Sequence, residues 1–362
     1  MMHFRIINEA NTGCYNLKNM EEFTSSFPIV NNRYQIFSTI ATGGMAVIYE
    51  AQDLLLERKV ALKILKKELS ENQQFQNRFR AEAKASANLN HPNIITTYDF
   101  GFDDDRLYIV MEYVKGHDLK ELIRTRGGIQ MNAAMNYIIQ AAGGLSYAHL
   151  MGFVHCDVKP QNMLVDSDNN LKITDFGVAR AIETIRHDEK HDVVWGSPYY
   201  ISPEQTLGEP PTPASDVYSL GVIAYELTTG NVPFDAEDTS DLLAMHRLKE
   251  ATPPVVRNPT IPSALNLLIL KSLEKNPQNR FSDCGEMLEA LNRIKIRSKP
   301  SASSKRKAFP EKFIDSEKRK YTTKSSFELD WQTILLSLFA LLTVGGLIPF
   351  WIYVIFYLNS GR

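Results

Sequence analysis

Cysteine is scarce in this chain. Cys14, Cys156 and Cys284 stand far apart among 362 residues, which excludes a disulfide framework and leaves no Cys-x-x-Cys pair for zinc. The main body therefore suits a reducing cytoplasm. Nor is there an excess of either charge. The 40 Lys and Arg face 42 Asp and Glu, a net charge of −2, which argues against a nucleic-acid partner. No internal repeat is visible, and the first twenty residues hold no apolar core long enough for a secretory signal. A charged fraction of 23% with 10% aromatics excludes wholesale disorder and fibrous classes. What remains is long enough to bury a large core, as one two-lobed unit or two ordinary domains.

The near-neutral sum conceals an uneven distribution. Residues 293–324 carry twelve basic residues against three acidic ones, with serines and little apolar periodicity, as in a flexible linker. From 331 to 361 no residue is charged, and 334–358 is a run of 25 residues dominated by apolar side chains. As a helix it would reach roughly 37 Å, more than the roughly 30 Å hydrocarbon core of a bilayer. Gly345, Gly346 and Pro349 interrupt it, yet each half would be too short to span, so a single pass is expected. The basic flank precedes the span, so the positive-inside rule keeps the body cytoplasmic. The expected organisation is an extension at 1–33, a folded domain at 34–296, a basic juxtamembrane linker at 297–330, a transmembrane helix at 331–358 and a short outer tail at 359–362. The linker is expected to attract anionic membrane lipid.

Within the folded domain, short β-rich runs at 33–40, 47–52, 60–65 and 106–112 come first. A helical spacing at 74–89 (Phe75, Phe79, Ala83) falls among them, and a long amphipathic helix follows from 131 (Met131, Met135, Ile138, Ile139, Ala142, Leu145). A small sheet followed by a larger helical body is an α+β pattern in two lobes.

Chemistry begins at Ala41-Thr42-Gly43-Gly44-Met45-Ala46-Val47-Ile48. A Gly pair between strands lets backbone N–H groups approach phosphates, with Val47 and Ile48 covering a base. Lys63 closes an apolar strand, so its ammonium points inward and needs an anion. Glu82, three residues after Phe79, shares that inward helix face. The richest group follows. His155-Cys156-Asp157-Val158-Lys159-Pro160-Gln161-Asn162 sets a carboxylate, an amine and a carboxamide at steps of two and three in a Pro-stiffened loop. Asp175-Phe176-Gly177 comes thirteen residues after Asn162, past two short strands. Then come Gly196-Ser197-Pro198-Tyr199-Tyr200-Ile201-Ser202-Pro203-Glu204 and a helix opening near Ser215-Asp216.

In order and spacing these motifs resemble the protein-kinase family, over roughly 34–294. The wording is closest to bacterial Ser/Thr kinases of eukaryotic type that carry one membrane helix. The resemblance implies a bilobal kinase fold and transfer of the γ-phosphate of ATP to Ser/Thr hydroxyls of proteins. Residues from Ile40 to Ile48 would cover ATP, and Lys63, paired with Glu82, would contact the α- and β-phosphates. The hinge from Met111 to Val114, including Glu112, would bind adenine, and Asp118 would reach the ribose. Asp157 would orient the hydroxyl and take its proton, and Lys159 would steady the γ-phosphate. Asn162 and Asp175 would hold Mg²⁺ or Mn²⁺. Glu204 would pair with Arg280, Asp216 would brace the catalytic loop, and 196–204 resembles a peptide-docking element. A nucleotide-binding pseudokinase scaffold is the alternative, against which Lys63, Glu82, Asp157, Asn162 and Asp175 all stand.

Two departures from the family pattern stand out. Ala41 and Ala46 replace the first and third loop glycines, and Cys156 replaces the Arg expected before Asp157. Without that Arg, a phosphate on Thr184 of the following segment loses a bidentate partner. His91 and His149 read as structural, His155 as a holder of the loop, Asp103 to Asp105 as a hairpin tip, and Met45 as exposed cover.

Overall fold

The computed structural model describes residues 28–71, 75–77, 79, 80, 83, 87–125, 129–176 and 198–298. The expected transmembrane helix, basic linker, Glu82 and Thr184 lie outside them. Among the described residues no helix is long and apolar enough to cross a membrane.

The first lobe is an antiparallel six-stranded sheet built from β1 (Ile29–Val30), β2 (Tyr34–Thr42), β3 (Ala46–Asp53), β4 (Arg58–Leu65), β5 (Thr97–Asp103) and β6 (Arg106–Glu112), in the order β1-β2-β3-β4-β6-β5. Alternation along β4 explains its two faces. Val60 and Leu62 pack with Tyr34, Tyr108 and Val110 on one side. Ala61 and Leu65 pack on the other with Phe75, Phe79 and Met111. Lys63 has the parity of this second face and is 9% exposed. Phe75 and Phe79 stack at 5.8 Å, and both are buried with Ala83, as their helical spacing predicts. Asp104 and Asp105 form the β5–β6 tip, both at positive φ.

Strands β2 and β3 run closer together than expected. Only Gly43, Gly44 and Met45 separate them, and Gly43 N–H donates to the Ala46 carbonyl at 2.9 Å. Met45 is a correction. It is half-buried against the sheet cluster rather than exposed cover, and its carbonyl accepts from Lys66 N–H at 2.9 Å. Its long unbranched side chain finds apolar contact where the expectation was solvent.

A second small sheet joins β7 (Gly116–Asp118), β8 (Met163–Asp166) and β9 (Leu171–Ile173). Around it lie α1 (Leu119–Thr125), α2 (Met131–Leu150), α3 (Pro213–Thr229), α4 (Thr239–Leu248), α5 (Ser263–Ser272) and α6 (Cys284–Ser298). Met135, Ile138, Ala142 and Leu145 of α2 are buried, and Met131 and Ile139 pack at the edge of the same core. Helix α3 is buried from Ala214 to Thr228 without a break, so it packs on all sides and forms the axis of this lobe. It starts with Pro213 behind Thr212, whose N–H donates to Ser215 Oγ, and ends at Gly230 with φ 79°.

The lobes are stitched together beside the hinge. Ile95 N–H donates to the Ile173 carbonyl and Ile173 N–H to that of Asn93, each at 2.9 Å. A tight spot occurs where the chain leaves the hinge. A Cβ on Gly116 would lie 2.0 Å from the Val165 carbonyl oxygen, whereas one on Gly44 would meet nothing within 4 Å. Gly116→Ala must therefore push β7 off β8, and a loss of about 1–3 kcal/mol is expected. Urea unfolding checks this. Gly44→Ala, the control, should stay within about 0.5 kcal/mol of the parent.

Candidate active site

Four charged side chains and one amide converge where the two lobes meet. The Lys63 ammonium donates to Asp175 Oδ1 at 2.6 Å. Lys159 donates to Asp157 Oδ2, also at 2.6 Å. Asn162 Nδ2 donates to the Asp157 carbonyl at 2.9 Å and to its Oδ2 at 3.2 Å. Burial alone would push the Asp175 carboxyl up. The Lys63 ammonium, helped by His155 and Lys159, outweighs it and holds the carboxyl below the ordinary range. The site is thus charge-paired. Glu82, the expected partner of Lys63, lies outside the described residues; within them Lys63 pairs with Asp175.

The loop carrying Asp157 is held from below by a buried carboxylate. Asp216 on α3 is 1% exposed. It accepts from His155 N–H at 2.8 Å, Cys156 N–H at 3.0 Å and His149 Nε2 at 2.8 Å. His155 is itself buried. Its Nε2 faces the Thr174 carbonyl at 3.0 Å, its Nδ1 accepts from Asp157 N–H at 3.3 Å, and Phe176 meets its ring edge-on. All of this matches a holding role. His149 and His91 are structural too, the latter accepting from Asn93 N–H and stacking on Tyr147. Cys156 and Asp175 both adopt left-handed φ, 70° and 67°, a strained choice for residues with side chains.

The remaining expected positions lie on the strands and loops around these groups. Ala41 and Thr42 pair with Ile48 and Val47 across the tight loop. Met111 is buried at the end of β6, and the Glu112 carboxylate turns to Lys172 at 3.0 Å. Val114 packs partly on the sheet cluster. Asp118 caps α1, accepting from Glu121 N–H at 2.8 Å. Among the described residues no three His, Cys, Asp or Glu side chains are grouped to hold a metal. Asn162 and Asp175 still supply hard oxygens of the kind that bind Mg²⁺ together with substrate phosphates.

The profile of the family described as protein kinase domain matches residues 34–293. The chain belongs to the protein kinase family. It is similar to curated bacterial members. A probable serine/threonine-protein kinase of Clostridium acetobutylicum is 43% identical over 267 residues, 74% of this chain and 40% of that one. The serine/threonine-protein kinase PrkC of Bacillus subtilis is 42% identical over 261 residues, covering 71% and 40%. PknA of Mycobacterium tuberculosis is 39% identical over 280 residues, covering 76% and 64%. The chain thus spans about two-fifths of the length of the first two. The crystal structure of the Mycobacterium tuberculosis PknI kinase domain aligns with a TM-score of 0.60 at 25% identity, over 74% of this chain and 98% of that one.

One kinase feature that the sequence suggests is directly visible. Arg280 donates to both Glu204 oxygens at 2.8 Å, with side-chain exposures of 0% and 5%. Sequence reasoning missed a second cluster, in which Lys120 reaches the buried Tyr200 and Glu226. Its signal was a glutamate inside the apolar stretch 220–227, which must find a cation or a proton.

Burial pushes the Glu204 carboxyl up, but Arg280, then Ser215, hold it below the ordinary 4.5. A depressed carboxyl stabilises the fold above its unfolded value and loses that contribution as pH falls through its folded value. Arg280→Met should cost roughly 3–5 kcal/mol at pH 7, because it strands a buried charge. Urea unfolding as a function of pH checks both points. The gap between parent and variant should narrow as pH falls, first as the stranded Glu204 of the variant protonates and then, below 4.5, as the parent loses its own contribution.

Proposed function

We propose that the chain is an ATP-dependent serine/threonine protein kinase acting at a membrane. The observation that carries the reading is the convergence of Lys63, Asp157, Lys159, Asn162 and Asp175 at the lobe junction. Phosphoryl transfer asks for little covalent chemistry and much placement of charge around a polyanion. Here two ammonium groups stand ready for phosphate oxygens. Asp157, braced through its own N–H, carbonyl and carboxylate, would orient a substrate hydroxyl and accept its proton. Lys159, already on Asp157, would accompany the transferred group, while Lys63 would hold the α- and β-phosphates. The loop from Ile40 to Ile48, the hinge residues Glu112 and Val114, and Asp118 would bind the nucleotide. Asn162 and Asp175 would hold Mg²⁺ or Mn²⁺, which when bound would offset the negative charge of the phosphates.

Membrane attachment rests on the sequence alone: the apolar stretch 334–358 behind a basic linker. The linker would add attraction to anionic lipid, up to about 1 kcal/mol per basic residue close to the surface.

Labelled ATP, Mg²⁺ and casein test the activity. Asp157→Asn and Lys63→Met should each lower transfer by orders of magnitude, and wild-type turnover in both at saturating ATP overturns the mechanism. Binding of a fluorescent nucleotide without any transfer by the parent chain would favour the pseudokinase scaffold instead. For the anchor, the full chain should resist high-salt extraction from membranes, and a chain ending before Trp331 should be soluble. Release of the full chain by salt would sink the span.

A further inference from the structure

Glu226 lies on α3, the most enclosed helix of the fold, and is 3% exposed. Its carboxylate is fully engaged. Oε1 accepts from Lys120 Nζ at 2.5 Å, and Oε2 accepts from the Tyr200 hydroxyl at 2.6 Å. Lys120 also donates to the Tyr200 oxygen at 3.1 Å, closing a three-membered ring of hydrogen bonds. Burial, then the Glu226 charge, push the Tyr200 hydroxyl well above its ordinary range. It therefore stays protonated and keeps donating.

The three members come from three elements. Tyr200 belongs to the segment 198–204, which resembles a peptide-docking element. Neutral bonds hold that segment too. Ser219 Oγ donates to the Tyr200 carbonyl at 2.7 Å. Gln205 accepts from Ser202 and donates to the Cys156 carbonyl at 2.9 Å, next to Asp157. Two charged ties add to these. The Glu204–Arg280 pair fixes the far end of the segment, and the tie from α1, two residues after Asp118, fixes Tyr200. Lys120 itself is 40% exposed along its side chain, so it is open to solvent while its partner is not.

We propose that Lys120 is a positioning residue for the protein substrate. It neutralises Glu226 and so fixes the Tyr200 hydroxyl, and with it the face of 198–204 on which a substrate chain rests while its Ser or Thr meets Asp157. The proposal rests on the kinase reading above. Removing the ammonium leaves a buried carboxylate with one neutral donor. Tyr200 then faces an uncompensated charge alone, and the docking segment loses its tie to α1. The nucleotide contacts, carried by other residues, stay in place.

Steady-state transfer from labelled ATP to casein tests this on the full chain. Lys120→Met should raise the KM for casein about tenfold or more, leaving kcat and the KM for ATP within about twofold, and Lys120→Arg should restore it. Tyr200→Phe keeps the ring but loses the hydroxyl, and should reproduce the casein defect even if Lys120→Met folds poorly. A merely structural role would lower thermal stability and kcat without separating the two KM values. An unchanged casein KM in both variants, a parallel rise in the KM for ATP, or failure of Lys120→Arg to rescue overturns the proposal. A parent chain that binds nucleotide but transfers nothing to casein overturns the kinase reading, and this proposal with it.

Discussion

The geometry of the site depends on one buried carboxylate. Asp216 accepts from two successive backbone N–H groups of the catalytic loop and from His149. A carboxylate at 1% exposure is tolerable only if its lone pairs are filled, and backbone N–H groups in a buried turn need acceptors just as much. Each requirement answers the other. Just beyond these two N–H groups the chain turns at Cys156, whose φ is 70°. Asp157 follows at once, aimed into the cleft. The central helix of the second lobe thus sets where the loop presents Asp157.

Above that anchor, the cleft balances its own charge. Lys63 pairs with Asp175 across the lobes, and Lys159 with Asp157 within the loop. Neither ammonium is left unpaired in the low-dielectric interior, where an uncompensated charge costs several kcal/mol or more. On the kinase reading, a nucleoside triphosphate with its cation would bring both signs, and the same four groups would exchange partners without any charge being stranded. The Lys63 bond also ties the first lobe to the second. A ligand that competes for it acts on lobe geometry as well as on its own affinity.

Much of this was legible in the residue order because periodicity and local chemistry agreed. Lys63 ends an apolar alternation, so its inward aim follows from the pleat. Asp157, Lys159 and Asn162 share one short loop, and their proximity follows from chain connectivity. The triad of Lys120, Tyr200 and Glu226 was not legible, since its members are separated by up to 106 positions and no local pattern joins them. Even so, Glu226 within an apolar helix signals that some partner must exist. Met45 misled because a loop apex between glycines suggests exposure, whereas a three-residue turn draws its side chain back onto the sheet.

Cys156 shows how one position can carry two separable roles. Its place in the loop is fixed by main-chain groups, with its N–H on Asp216 and its carbonyl accepting from Gln205. Any side chain that tolerates a left-handed φ can occupy such a position, so exchanging Arg for Cys leaves the anchor intact. What the exchange removes is a long cation able to reach a phosphate bidentately. The loop therefore keeps its catalytic geometry and gives up that one means of responding to phosphorylation nearby. At residue 156 the backbone holds the loop, while the side chain reaches the Val154 carbonyl at 3.4 Å.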